Sequence, residues 1–147
     1  MKRVALLAVV GALACSRGPP PPAALDTRND ACAGCRMLVS DPRTAAQLVA
    51  RGEEPLFFDD VGCLARYLRE HPPRPGAVAY VADHRSGAWV LAREASYVLQ
   101  PVASTPMGSH FLAYRDPRSR DSDPAAAGGR PLAPSEVFGE PPREPVR

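Results

Sequence analysis

The chain reads as a small α+β protein: short antiparallel strands, one clear helix, and proline-rich ends. Three observations predict this class. Runs of three to five apolar or β-branched residues recur between turn residues, as short strands require. A single stretch, Val61, Leu64, Ala65 and Leu68, follows helical spacing. Most of the 18 prolines lie towards the two ends, which confines the foldable part to the middle of the 147 residues.

The elements follow in order. Lys2 and Arg3 precede an apolar run from Val4 to Leu13 that is too short to span a bilayer. The run closes on Ala12-Leu13-Ala14-Cys15, which resembles a bacterial lipobox. Residues 1–14 are thus expected to be a lipoprotein signal peptide, with Cys15 acylated. Ser16 rather than Asp after that Cys favours sorting to the outer membrane, facing the periplasm. An ordinary secretory peptide cut nearby is the alternative. Residues 15–30 contain Pro19-Pro20-Pro21-Pro22 and read as a stiff tether with little that can pack.

The domain proper is expected over residues 31–116. Met37-Leu38-Val39 reads as a strand ended by the turn Ser40-Asp41-Pro42-Arg43, and Thr44 to Ala50 as a second. Leu56-Phe57-Phe58 reads as a third. Asp59-Asp60 caps the helix, which ends at His71 because Pro72-Pro73 cannot continue it. A hairpin is expected from Val78–Val81 and Ala88–Ala92, with Trp89 in the core. Tyr97-Val98-Leu99 and His110 to Tyr114 complete the strands, with a turn at Thr105-Pro106-Met107-Gly108. The order of elements suggests a weak internal duplication whose second half lacks a clear helix. Seven of the last 31 residues are Pro, so 117–147 reads as a mostly flexible tail completing a degenerate second half. Within it, Leu132 and Val137-Phe138 could pack.

Charge excludes one class of partner. Without Lys2 and Arg3, the net charge of +2 falls to zero, and every remaining strong base is Arg. A neutral chain with no basic run is a poor nucleic-acid binder. The sequence contains no phosphate loop, nucleophile elbow or paired-Cys zinc module, and nothing in it asks for enzyme activity.

The chemistry concentrates in Cys32-Ala33-Gly34-Cys35-Arg36-Met37, with two thiols and a thioether in six residues. If residues 35–37 are extended, the Cys35 and Met37 sulfurs share a face. Zinc wants four ligands, and His71, His84 and His110 are scattered. Thioredoxin-type exchange wants the Cys pair at a helix start, whereas a strand follows here. Cu(I) prefers thiolate and thioether. Met37 and Met107 are the two methionines left without the signal, and neither sits on an apolar helix stripe. A local disulfide or thiol–disulfide exchange at Cys32 and Cys35, on a structural or redox lipoprotein, remains open beside metal binding. Asp59 and Asp60 read as helix caps rather than acid–base pair. Cys63 reads as a small buried residue, and His110 as one that could reach a site near Met107.

Taken together, these stretches resemble the NosL family of lipoprotein copper chaperones associated with nitrous-oxide reductase assembly. The resemblance rests on the order of the lipobox, Cys-x-x-Cys-x-Met, Ala45-Ala46-Gln47-Leu48, Phe58-Asp59-Asp60-Val61-Gly62-Cys63-Leu64, Tyr80-Val81-Ala82-Asp83, Trp89 and Thr105-Pro106-Met107-Gly108. It covers roughly residues 31–115. It implies two small ββαβ domains and one Cu(I) handed to the reductase or its assembly machinery; the chain itself is expected to be a monomer or weak dimer. Cys35 and Met37 match the family's Cys-x-Met copper motif, Met107 its Pro-Met-Gly element, and Cys32 the first Cys of the motif. Arg36 stands where the family usually has Gly, and residues 117–128 make a poor second helix. Gly128-Gly129-Arg130-Pro131-Leu132 loosely matches the closing strand.

Overall fold

The computed structural model describes residues 18–139. The expected signal segment and Cys15 lie outside them. Two antiparallel sheets are present. The first has the order β2-β1-β3-β4, built from β1 Ala46–Val49, β2 Leu56–Phe58, β3 Val78–Ala82 and β4 Trp89–Leu91. The second has the order β6-β5-β7, built from β5 Ser96–Leu99, β6 Phe111–Tyr114 and β7 Arg130–Leu132. Helix α1, Val61–Glu70, follows β2, and the five-residue α2, Pro117–Asp121, follows β6. Each half is therefore a strand, a second strand, a helix and a third strand, with the first strand central in its sheet. The weak duplication is real, and β4 is an extra edge strand on the first copy.

Helix α1 forms where the apolar spacing and caps agree. Asp60 has extended backbone, and its carboxylate accepts from the Gly62 N–H. His71 ends the helix before Pro72. Val61, Cys63, Leu64 and Ala65 are buried, and α1 contacts β1 and β2 of its own half and β6 and α3 of the other. One apolar cluster, including Phe58, Leu64, Val81, Tyr97, Ala113, Leu132 and Val137, therefore runs through both halves.

The two ends depart from expectation. The Pro-rich segment packs: the Tyr80 hydroxyl donates to the Pro20 carbonyl at 2.7 Å, and Ala23 and Leu25 join the cluster of Val39, Ala45 and Phe57. Gln47 is fully buried in β1, and its side-chain amide exchanges hydrogen bonds with the Ala23 N–H and carbonyl at 2.7 and 3.1 Å. A buried amide needs such a partner, and the chain after the prolines supplies it. The presumed flexible tail also orders as far as residue 139, through α2, a 3-10 turn at Pro124–Ala126, β7 and α3, Pro134–Phe138. Proline content misled because Pro117, Pro124 and Pro134 each open a helical segment, where the missing N–H costs nothing. Pro131 sits in the edge strand β7, which also tolerates it. Met37-Leu38-Val39 is a loop rather than a strand, with a single bridge between Ala31 and Leu38.

Asp83 ties the halves together. Its carboxylate accepts from the N–H groups of Arg85 and Ser86 in the hairpin and of Arg115 before α2, at 2.9, 3.1 and 3.0 Å. Burial alone would raise its pKa, but these donors outweigh burial and hold it below the ordinary carboxylate value. Its contribution to stability is complete above the unfolded-state pKa and is lost as pH falls through the lower folded-state value. Asp83→Asn is expected to cost about 1–3 kcal/mol near neutrality. The gap to the unsubstituted chain should shrink below about pH 4. Urea unfolding at both pH values checks this, and a gap that does not change with pH contradicts it.

Candidate metal centre

The Cys-x-x-Cys stretch folds as a pinched loop. The Val39 N–H donates to the Asp30 carbonyl at 3.0 Å, and the Cys32 N–H to the Met37 carbonyl at 2.7 Å. Inside the pinch, the Arg36 N–H reaches the Cys32 carbonyl at 2.9 Å. Arg36 has φ 69°, in the left-handed region where a side chain is strained. That backbone explains why a Gly suits this position. It also breaks the strand alternation assumed for Cys35 and Met37. No helix follows Cys35, so the Cys pair lacks the thioredoxin-type placement.

The loop docks on the end of β2. Cys32 forms a parallel bridge with Phe57, and the Ala33 N–H donates to the Phe57 carbonyl at 2.8 Å. Two residues beyond β2 lies the capped start of α1. Cys63, on its first turn, is thereby brought to Cys32. The Sγ atoms of Cys32, Cys35 and Cys63 all lie within 4.8 Å of one another, and all three thiols are free. Cys32 and Cys63 are buried, and Cys35 is half-buried. Cys63 is the small buried residue its position in the sequence suggested, and it also lies beside the other two thiols. Its place on a helix's first turn was readable, but the docking of Cys32 beside Phe57 was not.

Electrostatics distinguish the thiols. Burial works against ionising Cys32, but backbone N–H groups of Asp59, Cys35 and Gly34 aimed at its sulfur outweigh burial and lower its pKa. Burial pushes the Cys35 thiol up, and charge at Cys32 adds to this. Cys63 is raised strongly, first by burial and then by Cys32. Of the three thiols, Cys32 is the one whose surroundings favour ionisation, and Cys35 and Cys63 are held towards the protonated form. A soft cation would displace the remaining protons.

The methionines stand outside this pocket. Met37 is 60% exposed and Met107 40% exposed. The Met107 N–H donates to Asp60 Oδ2 at 3.2 Å, and Met107 lines one depression with Cys63, Gly62 and Arg66. The structure therefore brings Met107, from the second half, to the first turn of α1. Its backbone contact with Cys32 sets Met37 at the mouth of the loop. The His110 ring is held by a local contact, Nδ1 to the Ala103 carbonyl at 2.8 Å.

Comparison with known proteins gives two findings. The family model described as NosL matches residues 22–140. A crystal structure described as the copper chaperone NosL from Shewanella denitrificans superposes with a TM-score of 0.65 at 18% identity, covering 81% of this chain and 98% of that one. At that identity the likeness is one of fold. No curated protein matches the chain.

Gly62 sets the distance between α1 and the Met107 loop. A Cβ there would stand 2.5 Å from the Ser109 Cβ, closer than side chains approach. Gly62→Ala is expected to cost about 1–3 kcal/mol by overpacking and to displace the Met107 loop. Thermal unfolding with the Met107 methyl NMR signal checks this. An unmoved signal and unchanged stability contradict it.

Proposed function

Because the chain belongs to the NosL family, we propose that it binds Cu(I) through Cys and Met sulfur and delivers it to a copper enzyme. One observation carries this: free thiols gather where loop 30–39 meets α1, the Met37 carbonyl accepts from the Cys32 N–H, and Met107 lines one depression with Cys63. Thiolates and thioethers select a soft monovalent ion, and the thioethers favour Cu(I) over Cu(II). The proposed ligands are Cys35, Met37 and Met107, with Cys32 beside them. Such a set leaves copper open on the solvent side. A client ligand attacks there, a protein sulfur leaves, and copper passes by exchange without being freed. The proposed client is nitrous-oxide reductase or its assembly machinery, in line with the family resemblance.

The proposed setting is the cell envelope, with the chain anchored through lipid on Cys15 and facing the periplasm. The docking of Pro20 on Tyr80 then matters. The five-residue step from Cys15 to Pro20 reaches at most about 18 Å. The domain would sit close to the lipid surface rather than far above it.

Two expected outcomes follow. In competition with a chromophoric Cu(I) chelator, the reduced chain should take one Cu(I). Met37→Ala and Met107→Ala should each weaken binding by about tenfold or more. Unchanged affinity in both variants contradicts the assignment. Cys15→Ala should abolish palmitate labelling and move the protein from the membrane to the soluble fraction. Labelling of that variant at the unsubstituted level contradicts the anchor.

A further inference from the structure

Deepening the copper reading above, we propose that Cys63 is a metal ligand, completing an interior three-thiolate site with Cys32 and Cys35. Geometry is the first argument. The three Sγ atoms lie within 4.8 Å of one another. An ion held by three sulfurs at about 2.3 Å would set them about 4 Å apart. The cluster needs to contract by less than an ångström, which side-chain rotation can supply. Its members come from two rigidly joined pieces, the loop docked on Phe57 and the first turn of α1.

Charge is the second argument. Three thiolates around one Cu(I) carry two net negative charges and need support. The Cys32 sulfur receives N–H groups from Asp59, Cys35 and Gly34. Cys63 sits in the positive end of the ten-residue helix α1. Arg66 Nη2 lies 4.0 Å from the Cys63 sulfur. The carboxylates of Asp59 and Asp60 add negative charge nearby and oppose thiolate formation, so these donors and the helix end have that charge to offset as well.

Copper thus has two sulfur environments. Both the interior thiolates and the exposed thioethers of Met37 and Met107 contribute to holding it, and the thioethers, which face solvent, are the ligands a client replaces first.

The test uses the full chain carrying Cys15→Ala, in which Cys32, Cys35 and Cys63 are the remaining thiols. Cd(II), which selects thiolates, reports their number through its sulfur-to-metal charge-transfer absorbance. The expected count is three per ion, falling to two in Cys63→Ser and Cys63→Ala. Cu(I) affinity should fall by about tenfold or more in both variants. A count of two without substitution at Cys63, or Cu(I) affinity independent of Cys63, overturns the proposal. The first of these needs no variant to fold. Three thiolates on Cd(II) with no Cu(I) binding would instead sink the chaperone reading and leave the site standing.

Discussion

The Asp60 carboxylate is the joint on which the rest depends. One oxygen caps α1 through the Gly62 N–H at 2.6 Å. The other accepts from the Met107 and Ser109 N–H groups at 3.2 and 3.5 Å. A fully buried carboxylate is costly unless such donors satisfy it. Here the donors come from both halves of the molecule. The same contact that starts the helix carrying Cys63 therefore fixes the loop carrying Met107. Asp59, its neighbour, does the equivalent on the other side by accepting from the Ser40 N–H and hydroxyl at 2.7 and 3.1 Å. The cap Asp60 and its neighbour Asp59 thus fasten the Met loop and the chain just after the Cys loop to one helix end.

The duplicated architecture explains why this is possible. Phe58-Asp59-Asp60 leads from β2 into α1, and Tyr114-Arg115-Asp116 leads from β6 into α2. Asp116 caps its helix by accepting from the Ser119 N–H at 2.7 Å. The first copy keeps a ten-residue helix and the thiols, while the second keeps a five-residue helix and lends Met107. Buried Asp83 repeats the joining role between the hairpin and the second copy.

Much of this was legible in the residues. The caps, the helix from Val61, the strand Leu56–Phe58 and the hairpin all have local causes, and all stand where those causes put them. What was not legible has tertiary causes. Gln47 alone gave no sign that residues 20–25 would cover its face of the sheet. The prolines of the C-terminal segment looked like breakers, yet at first helical positions they are starters. Cys63 reads as core and is core, but its nearness to the other thiols was not readable. Only the parallel bridge from Cys32 to Phe57 brings it to the other thiols.

Buried thiols lie at this junction with exposed methionines on the loops around it, and the proposed copper carriage there can be tested without any substitution. The most direct measurement is the alkylation rate of each cysteine in the reduced chain, read by mass spectrometry, before and after one equivalent of Cu(I). Copper carriage predicts that one equivalent shields Cys32 and Cys35 together, and that a chelator restores both rates. Rates unchanged by Cu(I) would contradict it.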